Sequence, residues 1–145
     1  MIAIASDHGG YALKTELMEH LKESSVAFED LGCYSAASVD YPVYAEKAAR
    51  GVASGVYERA ILICGTGIGM SMAANKIPGI RAAVCADCYS AEMTRLHNDS
   101  NVLCLGGRTI GPELAKRIMD IWLETPYSGL EKHARRIQMV MELEK

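Results

Sequence analysis

Ala60-Ile61-Leu62-Ile63-Cys64-Gly65-Thr66-Gly67-Ile68-Gly69-Met70-Ser71-Met72-Ala73-Ala74-Asn75-Lys76 is the stretch on which the fold turns. Residues 60–63 form a short apolar run, the pattern of a fully buried strand, and Cys64 closes it. Gly65-Thr66-Gly67-Ile68-Gly69 makes a tight turn, and residues 70–76 have the composition of a helix. A strand, a glycine turn and a helix leave a ring of backbone N–H groups at a positive helix end. An anion or a developing oxyanion is stabilised there. The Cys64 thiol stands at the rim of that ring, whose field favours the thiolate. The plainer alternative is a turn that needs small residues beside a structural cysteine. Met70 occupies the place of the third glycine of a dinucleotide fingerprint, and the Gly-Lys-Ser/Thr of a P-loop is missing.

Outward from this stretch, strand and helix alternate. Residues 2–5 form an apolar first strand that ends in Ser6-Asp7-His8-Gly9-Gly10. A helix over 11–23 carries Leu13, Leu17 and Leu21 on one face, with Lys14, Glu16, Glu19, Lys22 and Glu23 expected on the wet side. Residues 26–31 make a second strand, less apolar and so nearer an edge. Tyr41-Pro42 opens the next helix, since proline suits a first turn. Residues 80–85 and 101–105 are further strands, and a helix over about 89–96 lies between them. Helices follow from Pro112 to about Thr125 and over about 130–144. The expected fold is therefore α/β: one Rossmann-like domain spanning 1–145, a five-stranded parallel sheet with helices on both faces.

Composition narrows the function. A chain of 145 residues with a formal net charge of -3 has no basic surface for nucleic acid, and no run is long enough to span a membrane. The N-terminus has no basic region before its apolar residues, so it reads as a strand and not as a signal peptide. Five cysteines, an odd number, suit a reducing cytoplasm. Cys85 and Cys88 have redox or zinc spacing but no second pair, so neither a metal nor a redox role is expected of them.

Ligands of parallel sheets bind beyond the carboxyl ends of the strands. That rule brings Asp7, His8, Tyr41, Cys64, Thr66, Asp87 and Arg108 to one rim. His97, at a helix C-terminus, should lie on the opposite edge of its own subunit. Each residue also has a plainer role: Asp7 as a helix cap, His97 as a base favoured by the helix dipole, Arg108 as a solvated arginine. Lys132, His133, Arg135 and Arg136 crowd positive charge near the start of the last helix. That arrangement is unfavourable for its dipole and points to an anionic partner. Together these groups suit acid–base chemistry on a small phosphorylated molecule.

Six motifs, Ser6-Asp7-His8-Gly9-Gly10, Asp40-Tyr41-Pro42, Ile63-Cys64-Gly65-Thr66-Gly67-Ile68-Gly69, Ala73-Ala74-Asn75-Lys76, Gly79-Ile80-Arg81-Ala82 and His97-Asn98-Asp99, resemble the type B ribose-5-phosphate isomerases in family order. The wider family includes allose and galactose 6-phosphate isomerases. The resemblance implies a cofactor-free aldose–ketose isomerase of the pentose phosphate pathway, working through a cis-enediol. It also implies a homodimer or tetramer with shared clefts, so that His97 would serve a neighbour. Within the family, Cys64 would be the base, with Thr66 and His97 the ring-opening pair. The N–H groups of Gly65, Gly67, Ile68 and Gly69 would hold the enediolate. Asp7, Tyr41 and Asn98 would bind hydroxyls, Asn75 would support the intermediate, and His8, Arg108 and Arg136 would grip phosphate. Relatives without the cysteine carry Glu at the position of Met70. Lys132 stands where an arginine is usual and cannot make its bidentate phosphate contact. A six-carbon sugar phosphate, a free rare sugar, or a non-catalytic phosphosugar sensor are the alternatives.

Overall fold

The computed structural model describes residues 1–145. The chain runs β1 (Ile2–Ser6), α1 (Tyr11–Glu23), β2 (Phe28–Asp30), α2 (Tyr41–Ala53), β3 (Ala60–Cys64), α3 (Ile68–Ala74), β4 (Ala82–Val84), α4 (Cys88–Asn98), β5 (Val102–Gly106), α5 (Pro112–Glu124) and α6 (Glu131–Glu142). The strands form one five-stranded sheet in the order β2-β1-β3-β5-β4, and every pair is parallel. Chain connections leave β1 toward β2 and β3 toward β4, so strand order reverses between β1 and β3. The crevice beyond the carboxyl ends of those two strands is the ligand site such sheets provide.

Two-residue periodicity divides the core. Ala3, Ala5, Ala60, Leu62, Cys64, Val102 and Cys104 face α2 and α3. Ile2, Ile4, Ile61, Ile63, Leu103 and Leu105 face α1, α4 and α5. The alanines of β1 and β3 meet Ala45, Ala48 and Ala49 of α2, so that helix can lie close to the sheet. On the other face larger side chains meet Leu13, Leu17, Leu21, Ile118 and Trp122. Each of those buried leucines and isoleucines contributes about 1.5–3 kcal/mol relative to exposure. β1, β3 and β5 are buried throughout, whereas β2 and β4 form the half-exposed edges.

The structure moves several expected boundaries. The helix after the glycine turn starts at Ile68 rather than Met70, because Gly67 takes the left-handed conformation (φ 81°) and becomes its N-cap. Asn75 and Lys76 consequently fall beyond its end. The fourth strand begins at Ala82, two residues later than its composition implies. The Arg81 N–H bonds the Asn101 side chain, and Ala82 bonds Asn75, instead of a neighbouring strand. α4 extends through Asn98, so His97 and Asn98 are helical. The second strand keeps only three residues of the expected 26–31.

Lys14 corrects the surface assigned to α1. It is fully buried, and its ammonium donates to Asp30 Oδ1 at 2.5 Å and to the Cys33 carbonyl at 2.6 Å. Its position beside the leucine face brings it to the carboxyl end of β2, where Tyr34 lies 5.4 Å from the charge. A buried cation with both partners satisfied ties α1 to the loop that leads to Tyr41.

Candidate active site

The glycine turn is built around the Cys64 sulfur. The Gly67 N–H donates to Sγ at 3.1 Å, and the Ile68 N–H donates to Thr66 Oγ1 at 3.2 Å. Two N–H groups that the sequence assigns to an oxyanion are therefore engaged within the turn, whereas those of Gly65, Thr66 and Gly69 donate to no protein atom. The preceding carbonyls are also held: Cys64 O by Gly107 N–H at 2.8 Å and Gly65 O by Arg108 N–H at 2.9 Å. Cys64 is 5 % exposed, so its sulfur is guarded.

The switch point brings the β1 loop against this turn. A Cβ built on Gly9 would lie 3.2 Å from the Gly65 nitrogen and 3.4 Å from Arg108 Cζ. One on Gly65 would lie 3.3 Å from Arg108 Nη1. The Arg108 guanidinium thus rests close against two glycines, over both loops. Asp7 is buried, and its Oδ1 accepts the Gly10 N–H at 3.1 Å, fixing the entry to α1. Gly10, not Asp7, is the N-cap of α1, so Asp7 fixes the turn before the helix rather than capping it, and its other carboxylate oxygen takes no protein donor. His8 Nδ1 accepts the Val39 N–H at 3.2 Å, so in the neutral ring Nε2 carries the proton and serves as a donor. The Tyr41 ring covers Gly69, where a Cβ would come within 2.8 Å of ring carbons. Asp7, His8, Tyr41, Cys64, Thr66, Gly65, Gly67, Ile68, Gly69 and Arg108 accordingly share one rim.

Asp87 also follows the carboxyl end of a strand, β4, but its carboxylate is spent on the helix that begins there. It caps α4, accepting Ser90 N–H at 2.7 Å, and the Ser90 bonds hold its carboxyl below the usual aspartate range.

His97, Asn98, Asn75, Lys132 and Arg136 line a different feature, a groove of about 1020 Å³ under α6. The sheet explains the separation. Cys64 pairs with Gly106, while α4 ends beside the start of β5 at Val102. The two ends of β5 lie about 13 Å apart at an ordinary strand rise. The expectation that His97 sits on the opposite edge of its own subunit therefore matches the geometry. Within the groove His97 stacks on His133 with ring centroids 4.4 Å apart. His133 Nδ1 shares a 2.7 Å hydrogen bond with Ser128 Oγ. Burial, followed by His97, Lys132 and Arg136, holds the His133 ring below the usual histidine pKa.

Asn75 is set apart from Cys64. Its amide is doubly bound to Ala82, accepting N–H at 2.8 Å and donating to C=O at 3.0 Å. Since α3 runs back from the rim, its last residues reach the far edge. His133 and Arg81 are the groove residues for which the chain's motifs named no role. The Gly79-Ile80-Arg81-Ala82 motif was the available signal. Cys85 is buried, its thiol pushed up to about 11 by burial and then by Asp87, and all five cysteines are free. No three His, Cys, Asp or Glu side chains converge as metal ligands.

The sequence profile of the Ribose/Galactose Isomerase family matches residues 2–140. The chain belongs to that family. It is 48% identical to "Ribose-5-phosphate isomerase B" of Escherichia coli over 99% of this chain and 95% of the relative. A solved ribose-5-phosphate isomerase B of Clostridium thermocellum superposes with a TM-score of 0.96 at 50% identity, covering 99% of this chain and 96% of that one. A "D-erythrulose-4-phosphate isomerase" of Pectobacterium atrosepticum is 42% identical over 88% of this chain and 85% of its own length. The family thus holds members named for different sugar phosphates on closely similar chains.

Proposed function

We propose that this chain interconverts ribose 5-phosphate and ribulose 5-phosphate, and that two copies complete each cleft. The observation that carries the reading is the Cys64 sulfur, seated on the Gly67 N–H at 3.1 Å beside Asp7 and Arg108. A binding module has no need of a sulfur nucleophile or base in an anion-binding turn.

The substrate arrives largely as a furanose. Thr66 and the His97 of a second copy move the anomeric hydroxyl proton to the ring oxygen, which opens the ring. The Cys64 thiolate then takes the C2 proton. The electron pair forms the C1–C2 double bond, and the O1 oxyanion accepts from N–H groups of the glycine turn. Transfer of the O2 proton to the O1 oxyanion, with return of the abstracted proton to C1, forms the C2 carbonyl and gives the ketose. Every proton taken is returned and no electrons leave, so the reaction needs no redox cofactor. Asp7, Tyr41 and Asn98 hold hydroxyls. His8 and Arg108 on one copy, with Lys132 and Arg136 on the other, hold phosphate.

The separation of the Cys64 rim from the His97 groove supports a dimer, because one chain alone cannot bring both to one substrate. The exposed apolar residues Leu130, Val140 and Leu143 lie in the same region. Five unpaired cysteines fit a reducing cytoplasm. A different sugar phosphate is the second reading. Lys132 favours it, since a point charge grips phosphate less specifically than a guanidinium fork.

The test is a coupled isomerase assay with chelator present, run on ribose 5-phosphate, allose 6-phosphate and free ribose, with sedimentation of the same sample. Chelator-resistant turnover of ribose 5-phosphate by a dimer or tetramer is expected. Turnover of another sugar alone keeps the chemistry and changes the substrate. A folded protein that binds phosphosugar without turnover is a sensor, and the proposal fails.

A further inference from the structure

Arg81 belongs to a motif to which the isomerisation chemistry assigns nothing, yet it is one of the most fully bonded residues in the molecule. Its main chain is fixed from two sides. Asn101 Oδ1 accepts the Arg81 N–H at 2.8 Å, while Asn101 Nδ2 donates to the Gly79 carbonyl at 2.9 Å. The next residue, Ala82, is clasped by the Asn75 amide through both of its backbone polar groups.

From this anchored base the guanidinium reaches the end of α4. Nε donates to the Asn98 carbonyl at 2.9 Å and Nη2 donates to the Asp99 carbonyl at 2.8 Å. Helix C-termini leave carbonyls without intrahelical donors, and a cation placed there meets the negative end of the dipole. Asp99 itself is a left-handed C-cap (φ 44°), a conformation that aspartate tolerates better than most non-glycine residues. Its carboxylate is flanked by Arg95 Nη1 at 2.9 Å and Arg81 Nη2 at 3.7 Å. Arg95 is anchored in turn on the Ser100 carbonyl at 2.6 Å and the Thr125 carbonyl at 3.2 Å. The side chains immediately before this clamp are His97 and Asn98.

We infer that Arg81 is a positioning residue for His97 and Asn98: its guanidinium, carried on a main-chain segment braced by Asn75 and Asn101, sets the helix end that presents them to substrate. The inference rests on the proposed ring-opening role of His97. It also gives Asn75 a purpose, as a brace for the neighbouring segment.

A merely structural arginine lowers stability and acts on turnover independently of His97. A positioning arginine acts through it. Misplacement of a catalytic group by about 1 Å costs about 100-fold, so Arg81→Ala should lower kcat/KM for ribose 5-phosphate by about ten- to a hundredfold. His97→Ala should retain slow turnover of the open-chain fraction. In that background the same Arg81→Ala replacement should cost clearly less than in the wild type, the remaining loss acting through Asn98, as coupled residues behave. Added guanidinium ion should restore part of the Arg81→Ala loss and leave His97→Ala unchanged. Thermal melting identifies folded variants, and Arg81→Lys, which keeps the charge but not the two-carbonyl fork, replaces Arg81→Ala in the cycle if the latter does not fold. Equal losses in both backgrounds, or wild-type turnover in a folded Arg81 variant, overturn the inference alone. An inactive wild-type chain overturns the isomerase reading and this inference with it.

Discussion

The N–H of Gly67 points at the sulfur of Cys64 from 3.1 Å, and Gly67 can do this only in a left-handed conformation. A Cβ at that residue would lie 3.0 Å from the Leu105 backbone, which cannot withdraw without opening the sheet. Gly67→Ala is therefore expected to destabilise the fold by about 1–3 kcal/mol and to lower turnover. Urea unfolding with a parallel isomerase assay checks both. An unchanged midpoint would show that the turn is not held as described.

Cys64→Ala removes the proposed base without removing the backbone that surrounds it. Turnover should fall by about 100- to 10,000-fold, the usual contribution of general acid–base catalysis, with a melting temperature close to wild type. Near-normal activity would eliminate Cys64 as the base.

Lys132→Arg tests the phosphate grip. The fork of a guanidinium can meet two phosphate oxygens, so the Michaelis constant for ribose 5-phosphate should drop by about threefold to tenfold, with kcat little changed. A constant that stays level or rises would mean that Lys132 does not face the phosphate.

His133 gives a pH dependence with a definite sign. Burial, with His97 next, holds its folded pKa below the ordinary histidine value of about 6.5. On acidification the unfolded chain takes up this proton first, so stability is lost as pH falls from about 6.5 toward the folded value and levels off below it. Melting temperatures across that window should decline in the wild type. The decline should be shallower in His133→Gln, and identical slopes would remove His133 as the cause.

Cys85 and Cys104 are predicted to be inert. Burial pushes the Cys85 thiol up to about 11 and raises that of Cys104 further still. Iodoacetamide at about pH 8 should modify the half-buried Cys88 and spare both in the folded protein. Peptide mass spectrometry reads the outcome, and modification of Cys85 at a rate similar to Cys88 would contradict the burial described.

The strand–helix alternation, the core strands expected at residues 2–5, 60–63 and 101–105 and found within a residue of those bounds, the glycine turn with its cysteine, and the family motifs all follow from residue pattern. Each depends on neighbours a few residues apart, where apolar periodicity and backbone freedom act directly. The burial of Lys14 does not follow from pattern, because the acceptor that compensates its charge comes from Asp30, brought in by the parallel pairing of β1 with β2. Nor does Asn75 reveal that its amide is committed to Ala82, since that bond forms only once β4 takes the sheet edge. Strand order, the distance between Cys64 and His97, and the Arg81 clamp on α4 are decided by long-range contacts. Such contacts are chosen by the packing of whole elements, and they leave no periodic trace in the local chain.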